Sequence, residues 1–393
     1  MNSNSAPGHP VPENVMPKIS KIQVTPLEYV MPPGRRYGNA RFVNDRRTCC
    51  VVELATDEGV VGIGDAAGPP GVIREYMKIL TPFFLGQSLY DFNIVAADLR
   101  NKLYHFGGQG HFIAALGGLN IAVYDAMGKT LSLPVCDLLG GRQPKKLACY
   151  ATTGYFTDDL RNGIEGQLAS LRRSDFVGVK IKIGAGIASD VQRVRDARNI
   201  LGDGMLLMVD FNGSYTVDVA LESMRKIEPF NIHWCEEPLP PQDFAGYAEL
   251  RARAPIRLAA GEAHCGIAEF KRLIDARGID VVQPSPTSGG GFDEMKTVAL
   301  LSAAGNLRVS VPCWGSAIAQ NAAVHFAAHT PVWPHTENEP YPILVEYDVS
   351  ENPLRDELAI RPIAPKNGTL EVPSSPGLGI ELRRDILDRY RVS

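Results

Sequence analysis

The sequence predicts an α/β protein, a closed parallel β/α barrel joined to an α+β domain. Two patterns carry that reading. From Leu147 onward eight short β-rich runs recur, each but the last followed by a helical stretch: LACYATTG, GVKIKIG, MLLMVDFN, IHWCEEP, RLAAGEA, DVVQPS, LRVSVPC and ILVEYD. Polar residues near the ends of these runs keep a steady period: 28 residues from Lys182 to Asp210, 26 from Asp210 to Glu236, and 26 from Glu236 to Glu262. A period in the twenties holds one strand, one helix and two loops, and eight such units close a barrel. An open doubly wound sheet is the competing arrangement. No Gly-rich phosphate-binding motif follows any of the strands, which weighs against it.

The elements follow in order. Residues 1–17, MNSNSAPGHPVPENVMP, are polar and Pro-rich and lack the apolar core of a signal peptide. A disordered tail and a cytoplasmic protein are expected. From Lys18 to Ala66, KIQVTPLEYV and TCCVVELATDEGVVGIGDA read as an antiparallel meander turning at Asp57-Glu58-Gly59. Between them, residues 31–46 form a loop rich in Gly, Pro and Arg. From Val72 to Lys129 small and apolar residues fall at helical spacing, most clearly in FIAALGGLNIAVYDAMGKTL. The α+β domain is placed at 18–140 and the barrel at 141–348. Segment 349–393 is too short to fold alone and is expected to complete the α+β domain.

Composition narrows the function. With 40 Lys+Arg against 44 Asp+Glu in 393 residues, the formal net charge is −4. That near-balance argues against a nucleic-acid partner. No apolar run reaches the roughly 18 residues of a membrane-spanning helix. The seven cysteines are odd in number and show no CxxC pairs. They read as buried or reactive thiols in a reducing compartment, not as a disulfide framework or a structural zinc site.

In a β/α barrel the C-terminal strand ends form the site. Asp210, Glu236 and Glu262 end three successive runs, and adjacent strands lie about 4.8 Å apart, so the three carboxylates can converge. Converging carboxylates repel one another unless a cation sits among them, and a hard dication such as Mg²⁺ suits an all-oxygen set. Glu237 points to the opposite strand face from Glu236. In Lys180-Ile181-Lys182 the two amines share one strand face. Two close ammonium groups, with a dication nearby, are expected to depress each other's pKa and yield an amine base. A metal with an amine base suits removal of the proton α to a carboxylate, the metal stabilising the enediolate.

These residues, in this order, resemble the enolase superfamily in its mandelate racemase-like group. The matching segments are VKIKIG (179–184), VDFN (209–212), WCEEP (234–238), GE (261–262), QP (283–284) and the tail EYD…NPLR…PGLGIEL. The resemblance covers residues 18–393. It implies a (β/α)7β modified TIM barrel under a capping domain built from both chain ends. It implies Lys182 as the base beside Lys180, Asp210, Glu236 and Glu262 as Mg²⁺ ligands, and Asn212 beside the substrate or the metal. The loop at 31–46, with Arg35, Arg36 and Tyr37, would close over the substrate, and a homo-oligomer is expected. Within the group, YATTGYFTDD, EEPLPPQD and LVEYD…NPLRDEL resemble sugar-acid enzymes of the galactarolactone cycloisomerase kind. The implied substrate is a small hydroxylated carboxylic acid: an aldonate, an aldarate or a lactone. Glu346 could then bind a substrate hydroxyl.

One element of the group's pattern is missing. An Asp after strand six normally orients a His after strand seven. Here Ser285 and Pro312 stand at those positions, with Cys313 beside the second. A racemase needs a base on each face of the α-carbon, so the expected chemistry is one-base β-elimination, by a cycloisomerase or a dehydratase. His264 and Cys313 are the candidate replacement acids, with His111 and His335 behind them. His325 and His329, in AAVHFAAH, read as structural. The alternatives are a metal-binding chain that has lost turnover, a one-base epimerase, and an unrelated Schiff-base aldolase barrel.

Overall fold

A computed structural model of the chain describes residues 16–105, 108–142, 146–158, 164–331 and 342–392. The tail expected at 1–17 lies outside these residues except for Met16 and Pro17, and so does His335. Among the described residues no helix is long and apolar enough to cross a membrane.

The N-terminal region forms the expected meander. Strands β1 (Ile19–Val30), β2 (Arg46–Thr56) and β3 (Val61–Ala66) pair antiparallel in that order. Helices α1 (Pro70–Phe84), α2 (Phe92–Lys102) and α3 (His111–Leu131) follow. Helix α3 lies tight against β3 because Gly62 and Gly64 carry no side chain there. A Cβ on Gly64 would sit 2.0 Å from the Gly118 carbonyl oxygen. The other side of α3 meets the barrel, so it is buried almost all round.

Eight parallel strands then close a barrel: β4 (Lys146–Thr153), β5 (Gly178–Lys182), β6 (Leu206–Asp210), β7 (Ile232–Glu236), β8 (Leu258–Ala260), β9 (Val281–Val282), β10 (Arg308–Val311) and β11 (Leu344–Asp348). Pairing of β11 with β4 closes the ring. Helices α4 (Ile187–Leu201), α5 (Val217–Ile227), α6 (Phe244–Arg253), α7 (Gly266–Asp275), α8 (Gly291–Ala304) and α9 (Ala317–His329) make the outer layer. The C-terminal segment returns to both parts. Strand β12 (Thr369–Glu371) runs antiparallel to β4, and α10 (Arg384–Tyr390) packs on β1.

The barrel interior is layered. Tyr150, Met208, Trp234, Ala259, Val281 and Leu344 form an apolar floor, with Tyr150 and Trp234 edge to face at 5.6 Å. Strand side chains alternate with period two. Two residues beyond that floor stand Thr152, Asp210, Glu236, Gln283 and Glu346, all buried. The sequence thus places a polar layer directly on an apolar one, facing the cap.

Candidate active site

Strand register assembles the charges. Lys182 pairs with Asp210, and Asp210 with Glu236, as parallel-strand neighbours. Glu262 follows β8 after Gly261, whose φ of +146° turns the chain out of the strand. Asp210, Glu236 and Glu262 offer oxygens that all lie within 4.8 Å of one another. The donors are all carboxylate oxygens, buried or half-buried, the set a hard dication prefers.

The electrostatics fit a cation there. Burial pushes Glu236 up to about 8, with Asp210, Glu262 and Glu346 adding repulsion and Lys180 opposing. Glu262 is raised mainly by burial. Asp210, although buried, is held below the usual carboxylate range by Lys182 and Lys180. Gln283 and Trp234 donate to Glu236 Oε2 at 2.6 and 3.2 Å, which fixes that carboxylate.

The two lysines are held differently. Lys180 is fully buried and pairs with Glu236, with Glu346 at 3.1 Å and with Asp210 at 3.8 Å. Lys182 Nζ lies 2.5 Å from Asp210 Oδ2. The expected mutual depression of the amines is outweighed. Although burial disfavours their charge, the surrounding carboxylates raise Lys180 well above its ordinary value and raise Lys182 as well.

Two cavities border this cluster. One, of about 150 Å³, is lined by Lys182, Asn212, Glu262 and Glu346 from the barrel and by Asn39, Phe42 and Asn44 from the cap loop. Lys180 does not line it. The other, of about 310 Å³, lies against β8–β10 and the cap and includes Ser285, Pro312 and Cys313. Among the described residues, no histidine lines either cavity.

The remaining candidates separate. Asn212, at φ +47°, points its amide toward Glu262 at 3.5 Å. Glu346 pairs with Lys180 and accepts from Thr152 and from the Cys313 amide at 2.9 Å. Arg35 and Tyr37 line a third cavity, without Lys182. Arg35 pairs with Glu351 at 3.2 Å, while the Tyr37 hydroxyl donates to the Glu351 carbonyl and its ring packs on Tyr155. His264 turns away from the cluster: its Nε2 bonds the Pro241 carbonyl at 3.0 Å and its ring sits between Phe244 and Phe270. Cys313 lines the larger cavity, but burial pushes its thiol up to about 12. Sequence reasoning passed over Trp314, which lines both cavities, and Tyr155; only their nearness to the matched segments could have flagged them.

The family models agree with this architecture. The "Mandelate racemase / muconate lactonizing enzyme, N-terminal domain" model matches residues 34–140, and the "Enolase C-terminal domain-like" model matches 164–386. The chain is 32% identical to the D-galactarolactone cycloisomerase of Agrobacterium fabrum, over 95% of this chain and 99% of the relative. It is 29% identical to the arabinonate dehydratase of Saccharolobus solfataricus, over 86% of this chain and 89% of the relative. The crystal structure of the 3,6-anhydro-D-galactonate cycloisomerase from Zobellia galactanivorans superposes with a TM-score of 0.85 at 32% identity, covering 96% of this chain and 100% of that one. The chain therefore belongs to the mandelate racemase/muconate lactonizing enzyme family of the enolase superfamily, and is an enzyme of its isomerase or lyase kind.

Proposed function

We propose that the chain removes the α-proton of a sugar acid or its lactone with Lys182 and drives β-elimination, as a cycloisomerase or an acid-sugar dehydratase. The observation that carries this reading is the position of Lys182. Its amine opens on the cavity that Glu262 and Asn212 also line, while Lys180 is sealed behind it. Asp210, Glu236 and Glu262 are the residues that would hold Mg²⁺. Held there, a dication would supply positive charge to offset the carboxylates that keep Lys182 protonated and to stabilise charge developing on the substrate carboxylate. Lys180, braced by Glu346, keeps a fixed positive charge behind the acid cluster. Lys182 then accepts the proton from one face of the α-carbon.

Kinship supports the substrate class, because the relatives are named for a sugar lactone and a sugar acid. Ser285 and Pro312, at the positions of the group's Asp and His, favour elimination over racemisation, since a racemase needs a base on both faces. The intact lysines and acids favour an active enzyme over a chain that only binds metal. The test is a library of aldonates, aldarates and their lactones with Mg²⁺ in D₂O, followed by NMR for exchange at the α-carbon and for 2-keto acid product. Activity on at least one acid, abolished in Lys182→Ala, is expected. No exchange and no product on any acid would overturn the reading.

A further inference from the structure

The larger cavity contains an acid that the machinery above does not use. Besides Glu262, Ser285 and Cys313 from the barrel, it is lined by Thr48, Cys49 and Asp65 from the cap. It meets the Lys182 cavity at Glu262 and Trp314, which line both. Ser285 and Pro312 place it on the side where the family's Asp-His pair would stand. Among the described residues, Asp65 is the only carboxyl besides Glu262 that lines it.

Asp65 stands in β3 and is buried, with 2% of its surface exposed. Its Oδ2 accepts the Ser316 hydroxyl at 2.6 Å and its Oδ1 accepts the Cys50 amide at 3.3 Å. Among the described residues it makes no ion pair, and no cation offsets its burial, which pushes it up to about 6 against those hydrogen bonds. An unpaired carboxylate is costly to bury. A carboxyl so placed is partly an acid near neutral pH, where a proton donor is most useful. Cys313, its neighbour in the cavity, is a far weaker acid.

We propose that Asp65 is the acid of the far face, protonating the β-oxygen of the substrate as it leaves. The inference rests on the β-elimination reading. As Lys182 takes the α-proton, the C–H electron pair forms the new C=C bond and the Cβ–O bond breaks. The Asp65 proton passes to the departing oxygen, which leaves as water or as the freed end of an opened ring. The enol product tautomerises to the 2-keto acid. Lys182 returns its proton to solvent and Asp65 regains one, so the cycle balances.

The experiment compares Asp65→Asn, Asp65→Ala and wild type on the substrate found above, reading product formation and α-deuterium exchange separately. Asp65→Asn should lose about 10²-fold or more in turnover while keeping exchange that depends on Lys182. Formate, small enough for the cavity, should restore turnover to Asp65→Ala at least about tenfold. A merely structural tie between β3 and the Ser316 turn predicts no formate rescue, whatever the fold of either variant. Turnover of Asp65→Asn within threefold of wild type, loss of exchange together with turnover, or failure of formate to rescue would each overturn the proposal. If wild type itself shows no Lys182-dependent exchange, the β-elimination reading fails instead.

Discussion

Lys182 Nζ stands 2.5 Å from Asp210 Oδ2, and the two residues are register partners on adjacent barrel strands. Backbone pairing therefore sets the proposed base beside the acid cluster, so that amine and the candidate cation site share two strands. The contact also holds the amine in its charged form.

Proton transfer and charge at this position can be separated by substitution. Lys182→Ala is expected to abolish α-proton exchange and lower turnover by about 10³-fold or more. Lys182→Arg keeps the positive charge near Asp210 but does not deprotonate in a protein. It should be as inactive as the alanine variant. Both are read by NMR exchange and product formation, with circular dichroism as the fold control. An arginine variant keeping a tenth of the activity would mean that position 182 supplies charge and not a base.

Binding of a dication should be visible without turnover. Asp210, Glu236 and Glu262 repel one another in a buried site, so a cation that binds only the folded state must stabilise it. At a concentration 100 times its Kd, the gain is about 2.7 kcal/mol. Chelator-treated protein titrated with Mg²⁺ should show a rise in Tm. Asp210→Asn, Glu236→Gln and Glu262→Gln should each remove most of that rise. A wild-type Tm that ignores both chelator and Mg²⁺ would refute the site.

The barrel and its acids were legible because each depends on local periodicity. A strand–helix period in the twenties marks the units, and the same period carries Lys182, Asp210 and Glu236 to register-matched strand ends, with Glu262 just past the end of β8. The anchoring of Arg35 and Tyr37 on Glu351 was not legible, because Glu351 lies more than 300 residues away and no local pattern records that contact. His264, a candidate acid by its nearness to Glu262, lies away from the cluster because the chain turns just before it. Strand β8 ends at Ala260, Gly261 turns the chain, and the imidazole swings to Pro241. Asp65 was hidden for a related reason: its role depends on which barrel loop the cap strand meets, and Ser316 lies 251 residues away.

Acid sensitivity should trace partly to His325. Its Nδ1 accepts the Cys136 amide at 3.2 Å and its Nε2 donates to the Leu378 carbonyl at 3.2 Å, so the ring is held neutral. Burial lowers its pKa from 6.5 to about 4. Between those values the unfolded chain binds a proton that the folded chain refuses. This contribution is therefore complete above pH 6.5 and is lost as pH falls toward 4, about 3 kcal/mol at most. Asp65, raised to about 6, acts in the opposite sense, so its penalty is relieved as pH falls. The difference between wild type and His325→Gln isolates the histidine. Denaturant unfolding from pH 7 to pH 4.5 should show a shallower loss for the variant. Parallel curves would refute this assignment.

Trp314 owes its position to Arg47. The buried Arg47 guanidinium lies 3.4 Å from the Trp314 ring centroid, donates to the Trp314 carbonyl at 3.0 Å, and pairs with buried Asp348 at 3.1 Å. Trp314 Nε1 donates to Tyr155, whose hydroxyl donates in turn to Asp348. One cap residue thus braces the side chain shared by both cavities. Among the described residues, Arg47→Met leaves Asp348 only Arg355, at 3.6 Å, as a cation and should cost about 3 kcal/mol of stability. Arg47→Lys restores the charge but not the flat stacking surface. It should recover much of the stability while KM stays raised by about tenfold, because one lost contact of about 1.4 kcal/mol changes affinity by that factor. Thermal unfolding and steady-state kinetics on the same preparations separate the two effects. A lysine variant with wild-type KM would show that Trp314 keeps its place without the stacked guanidinium.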